Sequence, residues 1–229
     1  MDIVPTPNDL MSFWRSPDVL LTQTCGYPFV TALRDDVRLI ATPQFALPGC
    51  DGIHYCSVIV VRQADAFQTL EALRGKVVAI NQPDSQSGMN ALRHTFASLA
   101  RGGSFFSEIH QSGSHLASLA AVGSGEADLA AIDCVTYAYV MQHAAEKTAG
   151  LRVLHVTDPV PGLPLIGSIR LATREVNDLQ LVLAALRDTE PDLMGDLALT
   201  GFTVSSPHDY EIIATQEEAA GKLGYPAIA

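Results

Sequence analysis

The sequence predicts an α/β architecture with mostly parallel sheets, and three observations carry that prediction. Short β-branched runs alternate with helical stretches along most of the chain. At three successive places an apolar strand-like run ends in a short polar turn that opens a helix. The 229 residues are 48% hydrophobic and 17% charged, a balance that supplies a sizeable core and disfavours disorder.

Strand-like segments fall at Val19–Gln23, Val37–Ala41, Tyr55–Val61, Lys76–Ile80, Phe105–His110, Asp128–Ile132, Leu151–Val156 and Ile166–Ala172. Between them, a helix over Phe67–Leu73 is closed by Gly75, placed for the left-handed residue of a C-terminus. The first strand–turn–helix unit passes from Lys76–Ile80 through Asn81–Gly88 into a helix with Met89, Leu92, Phe96 and Leu99 on one face. The second runs through Gln111–His115 into a helix containing Leu116, Leu119 and Val122, stopped at Gly123 and Gly125. In the third, Asp133 follows Asp128–Ile132 and a helix occupies about Thr136 to Glu146. Three prolines and a glycine between Asp158 and Pro164 forbid regular structure, so this segment reads as a crossover between lobes. The remainder predicts a helix over Asn177–Arg187 and a short one over Asp192–Thr200 closed by Gly201. A last helix follows, capped by Ser206 with Pro207 at its first position.

Composition narrows the function classes. With 14 Lys and Arg against 25 Asp and Glu, the net charge is −11 and no basic run occurs. The electrostatic footprint of nucleic-acid or anionic-membrane binding is therefore missing, which points to a small-molecule or protein partner. The uncharged apolar stretch Cys134–Ala145 is shorter than the roughly 20 residues of a membrane span. Met-Asp-Ile-Val-Pro-Thr-Pro at the start has neither the basic nor the apolar region of a secretory signal, so the chain reads as cytoplasmic or as trimmed of its leader. Four cysteines are too few for a disulfide-built scaffold. Cys50 and Cys56 are spaced for a small disulfide loop, but not as the Cys-x2-Cys pair of structural zinc, and two ordinary reduced thiols are the expected state.

The turns carry the candidate chemistry. Ser85, Gln86 and Ser87, with the amide of Gly88, gather hydroxyls and unpaired backbone N–H groups at a helix N-terminus, a place suited to a phosphate-like or carboxylate group. The alternative is that one serine simply caps the helix. His115 either donates to an anion or caps its own helix. Asp133, at the tip of an apolar strand, is either a cap or a carboxylate aimed at the cleft beyond the strand ends. Tyr55 and Tyr27 offer hydroxyls on apolar bodies. Cys25 with His115 is the one pair that would serve an enzyme, and no nucleophile elbow, Walker loop or Rossmann glycine motif accompanies it.

Tyr55-x-Ser57 before Val58–Val61, then Asn81–Gly88, Ser112-Gly113-Ser114-His115 and Gly125–Asp133, together resemble the phosphate, phosphite and phosphonate-binding proteins of ABC transporters over roughly residues 19 to 175. The resemblance implies a two-lobe type 2 periplasmic-binding-protein fold with the oxyanion in an interlobe cleft. It also implies an ABC permease as partner, a periplasmic location, and neither cofactor, metal nor catalytic turnover. Position by position, Ser85, Gln86 and Ser87 match the loop that grips the oxyanion, Tyr55 the tyrosine entering the second lobe, and His115 the histidine of the next turn. Asp133 matches the acid that meets a ligand amine, and Cys25 and Tyr27 stand where the first lobe offers a turn. Gln86 departs from the usual serine or threonine, and the chain is expected to lack the family's first strand and helix. Lobe one is expected over 1–57 and 168–229 and lobe two over 58–167, hinged near Val58 and Gly167. The rival expectations are an enzyme on the same fold, such as a pyrimidine-precursor synthase or a lyase, and a cytoplasmic ligand sensor.

Overall fold

The computed structural model describes Ile3, Pro5, Pro7 and residues 9–229. Asp9 caps a one-turn helix, α1 (Leu10–Trp14), by accepting from the Ser12 amide at 3.0 Å. Then come β1 (Thr22–Gln23), α2 (Gly26–Pro28) running on as a π-turn over Phe29–Leu33, β2 (Val37–Phe45), β3 (His54–Tyr55) and β4 (Ser57–Arg62). The middle of the chain forms β5 (Val77–Ile80), α3 (Ala91–Ala97) entered through a π-turn at Gln86–Asn90, β6 (Glu108–Gln111), α4 (His115–Ser124), β7 (Leu129–Asp133) and α5 (Cys134–His143). It closes with β8 (Leu151–Val156), β9 (Val160–Pro161), β10 (Leu165–Ser168), α6 (Thr173–Thr189), α7 (Pro191–Asp196), β11 (Leu199–Thr203) and α8 (Glu211–Lys222).

Two sheets organise these elements. The first, in the order β1-β10-β2-β11, is antiparallel throughout. The second, β6-β5-β7-β4-β8, pairs β5 in parallel with β6 and β7, while β4 runs antiparallel to β7 and β8. The expectation of mostly parallel sheets is therefore corrected: the sheets are mixed. The reason is β4, which enters the second sheet from the β3 crossing and runs against its neighbours. Between the sheets, β3 and β9 form a two-stranded antiparallel ribbon, so the proline-rich segment at 158–164 contributes one short pairing.

β4 is buried on both faces, as its unbroken apolar run requires. Ile59 and Val61 join Val78, Leu92, Phe96 and Leu129 on one side, and Val58 and Val60 join Leu119, Val122 and Ile132 on the other. α6 covers the first sheet with Leu183 over Ile40 and Ala41. α8 packs on α3, and the C-terminus lies against the second sheet: the Phe105 and Phe106 amides both donate to the Ala229 carbonyl, at 2.6 and 2.9 Å.

Other differences from expectation share one cause, a distant partner taking precedence over a local pattern. Phe105 and Phe106 leave the strand expected at 105–110 because the C-terminal residues occupy their amides, and pairing begins at Glu108. The helix expected at Phe67–Leu73 contracts to one 3₁₀ turn at Glu71–Leu73, with fully buried Leu73 anchoring it. Residues 192–200 divide into α7 and then β11, because the far half of the nine-residue β2 offers an edge on which 199–203 pair. Gly75 takes the expected left-handed φ of 71°. Gly123 lies inside α4 and Gly125, at φ 85°, terminates it.

Candidate functional site

Because β5, β6 and β7 are parallel, their C-terminal ends lie along one edge of the sheet, and the turns after them meet there. That juxtaposition brings Ser85, Ser87, His115 and Asp133 from three separate turns to one pocket of about 300 Å³. Cys25, following β1, completes the wall from the other side with Gln23 and Thr24, while Trp14, Asn81 and Thr136 also line it. No lysine or arginine is among the lining residues.

Each turn uses one side chain to start its helix. Ser85 accepts from the Gly88 amide at 3.1 Å, Ser114 from the Ala117 amide at 3.1 Å, and the Asp133 Oδ1 from the Thr136 amide at 2.7 Å. Ser87 is free of that task and places its Oγ 2.9 Å from the His115 Nε2. The second Asp133 oxygen stands 3.3 Å from the same nitrogen. Asp133 thus caps α5 with one oxygen and lines the pocket beside His115 with the other.

Burial pushes the His115 pKa below its ordinary value, against the pull of the Asp133 charge, so the ring is neutral. Both polar neighbours share Nε2, and Nδ1 is buried without a partner. A relay base needs its acid and its nucleophile on opposite ring nitrogens, and this arrangement does not supply that. Burial likewise raises the Cys25 thiol, whose sulfur accepts from the Gln86 amide at 3.1 Å. A protonated thiol beside an unsuitably paired imidazole is poor nucleophilic machinery.

The remaining expected residues separate. Tyr55 is buried under the pocket, its hydroxyl unpartnered among Ser87, Cys25 and Asp133. Burial above all keeps that hydroxyl protonated by raising its pKa well above the ordinary phenol value. Gly88 contributes space: a Cβ there would fall 2.0 Å from the Asn81 Oδ1 and 3.3 Å from the His115 Cε1, so only glycine lets the Asn81 side chain approach. Gln86 and Tyr27 do not come to the pocket. The Gln86 side chain donates to Gln216 at 3.3 Å and accepts from Asn90 at 2.7 Å. Tyr27 donates to Glu217 at 2.6 Å beside Arg93. The departure from serine or threonine at 86 therefore lies on the α3–α8 contact. Thr24 and Asn81 are the site residues that sequence reasoning passed over; the signal was their position at strand tips, one residue before Cys25 and one after Ile80.

Six buried side-chain polar atoms lack a partner among the described residues. Three of the six, on Thr24, Asn81 and His115, belong to residues lining this pocket, and a fourth, on Tyr55, lies near its residues Cys25, Ser87 and Asp133. Each such atom costs on the order of 1–3 kcal/mol when unpaired, so this pocket carries the densest unmet hydrogen-bonding capacity among the described residues.

Two lobes of α/β structure joined by a crossing ribbon, with a polar pocket at strand ends, define the periplasmic-binding-protein class. The chain belongs to the phosphonate, periplasmic substrate-binding protein family of ABC transporters, whose model matches residues 4–210. Among solved structures it is similar to a binding protein component of an ABC phosphonate transporter from Pseudomonas aeruginosa, with 18% identity, TM-score 0.79, and 93% of this chain and 72% of that one covered. It is also similar to PhnD1 from Prochlorococcus marinus in complex with methylphosphonate, with 17% identity, TM-score 0.76, and 93% and 82% coverage. The aliphatic sulphonate binding protein SsuA from Escherichia coli shares the fold at 18% identity and TM-score 0.58, with 88% and 69% coverage. A search of the curated proteins finds no match. The family and the Pseudomonas aeruginosa neighbour are substrate-binding components of transporters. Among the described residues no helix is long and apolar enough to cross a membrane.

Proposed function

We propose that the pocket at the ends of β5, β6 and β7 binds a small phosphonate, phosphite or phosphate-like oxyanion, as the capture step of an ABC transporter in the periplasm with a permease as partner. Ser87, His115, Thr24 and Asn81 supply neutral groups, and Tyr55 supplies a hydroxyl from below. Asp133 selects against fully ionised ligands and for those carrying a proton or an amine. The two lobes follow the two sheets, one built on the strands between 22–45 and 165–203 and the other on those between 57 and 156, so the return crossing falls at the β3–β9 ribbon rather than at the expected Gly167, and this ribbon is the hinge between them. The observation that carries this is the concentration of unpartnered buried polar atoms around a pocket without a lysine or arginine. A ligand oxyanion beside such groups is held by hydrogen bonds whose geometry discriminates, rather than by a counter-charge. Catalytic turnover at Cys25 has no comparable support, given its raised thiol and the shared His115 nitrogen.

The test is a thermal-shift and calorimetry series with methylphosphonate, aminoethylphosphonate, phosphite, phosphate, sulfate and acetate. A cognate ligand at 100 times its Kd stabilises the fold by about 2.7 kcal/mol. Stabilisation by at least one phosphonate or phosphite, diminished in Ser87→Ala, is the expected result. Equal, negligible shifts with every anion overturn the assignment.

A further inference from the structure

Cys50, Cys56 and Cys134 come from three places in the sequence and converge where the two sheets join. The Cys50 and Cys134 sulfurs are 3.5 Å apart. Cys56 faces Cys134 one step beyond the β4–β7 ladder, whose last pair is Ser57 with Asp133, and the Cys134 amide donates to the Cys56 carbonyl at 3.0 Å. Gly49, at φ 90°, lies so close that a Cβ would sit 2.7 Å from the Cys56 sulfur and 3.2 Å from the Cys134 sulfur. Only a residue without a side chain lets the loop close over them. An apolar cavity of about 580 Å³, lined by Cys56, Cys134, Tyr137, Met141 and Val156, adjoins the pair. Packing alone accounts for buried cysteines, yet it does not require sulfur against sulfur, and Cys50 is only partly buried.

We propose that these residues form a thiol–disulfide exchange site in which Cys50 and Cys134 close to a disulfide by exchange with an external disulfide. The partly exposed Cys50 sulfur attacks one sulfur of RSSR as its proton passes to the Cys134 sulfur 3.5 Å away, forming Cys50–S–S–R and releasing RS⁻, which takes that proton on. Cys134 then attacks the Cys50 sulfur, and the second RS⁻ leaves. The protons given up by the two cysteines go to the two leaving groups, so one disulfide and two thiols become one disulfide and two thiols. Cys134 suits the second step: it is the first residue of the ten-residue α5, and the thiols of Cys50 and Cys56 stabilise its thiolate and lower its pKa, while those two are raised by the same contact. The product ties the loop that follows β2 of the first sheet to the start of α5 beyond the second. It does so at the residue next to Asp133, so oxidation fixes the join between the sheets from behind the pocket.

The folded protein, starting with its four free thiols, is treated with oxidised glutathione, and thiols are counted while linked peptides are mapped by mass spectrometry. The expected result is the loss of two thiols, a Cys50–Cys134 linkage reversed by dithiothreitol, and Cys25 remaining free as an internal control. In Cys50→Ser, which alters a partly exposed residue, the loss slows by about tenfold or more because the nearest resolving pair is gone. Circular dichroism confirms that each sample remains folded. Four free thiols after a treatment that oxidises a reference dithiol, a linkage through Cys25, a Cys56–Cys134 linkage in its place, a glutathione adduct alone, or an unchanged rate in Cys50→Ser each overturns the proposal.

Discussion

Two polar clusters grow from the same five-residue π-turn, Gln86–Asn90, and their accounts end differently. On one side Ser87 faces His115 and Asp133 in the pocket, beside the unpartnered groups of Thr24, Asn81 and His115. On the other, Gln86, Asn90 and Arg93 meet Gln216, Glu217 and Tyr27 from α8 and α2. There, all but the Arg93 Nε atom find partners. Adjacent residues in a polar run thus serve opposite ends. Where polar atoms pair with one another, they hold two helices together; where they are left open, they are the groups that the proposed ligand would satisfy.

That contrast is open to direct attack. The largest effect is expected from Ser87→Ala, which removes a hydroxyl facing the pocket while leaving the Ser85 cap intact. A hydrogen bond to a charged ligand contributes about 1.5–3 kcal/mol, so methylphosphonate affinity should fall roughly 10- to 100-fold with little change in Tm. Calorimetry showing wild-type affinity would remove Ser87 from the site. The mirror experiment is Gln86→Ala, which removes the Gln216 side chain's partner and one of the two acceptors of the Asn90 amide nitrogen, leaving it the Ile213 carbonyl. Chemical denaturation should report a loss of about 1–3 kcal/mol, and the ligand Kd should stay put. A changed Kd with unchanged stability would reverse the division between the clusters.

Asp133→Asn sharpens the comparison within one side chain. The amide oxygen still accepts from Thr136 and caps α5, but the charge beside His115 disappears. Sulfate affinity should rise severalfold relative to aminoethylphosphonate at nearly constant stability, and a constant ratio would leave Asp133 as a cap only. The smallest effect concerns pH. His115 has a folded pKa below the ordinary 6.5 because it is buried, so the unfolded chain binds its proton first as pH falls. The contribution of this residue to stability is therefore fully present above about pH 6.5 and declines below it. Urea midpoints at pH 5.5 and 7.5 should differ more in the ligand-free wild type than in His115→Gln. Equal differences would show that burial of the neutral ring is not what the pH change senses.

Much of the fold was legible because it depends on local chemistry. The Ser206 start and the Gly75 and Gly125 stops follow from backbone geometry that neighbouring residues dictate. The alternation of apolar strand and polar turn likewise placed Ser87, His115 and Asp133 at strand ends, and the resemblance to a known family pointed to the same turns. Sequence by itself therefore determined the α/β class, the strand–turn–helix units and the acidic, base-poor character of the molecule. Only the tertiary structure decided that β4 runs against its neighbours, that the C-terminal residues take the Phe105 and Phe106 amides, and that 199–203 form an edge strand. It also sent Gln86 and Tyr27 to α8 instead of the pocket, and gathered Cys50, Cys56 and Cys134. Each of these depends on partners more than 40 residues away along the chain, apart from the spacing of Cys50 and Cys56. Which distant partner satisfies a given amide, side chain or strand edge is settled when the whole chain competes for them at once, and no local pattern records the outcome.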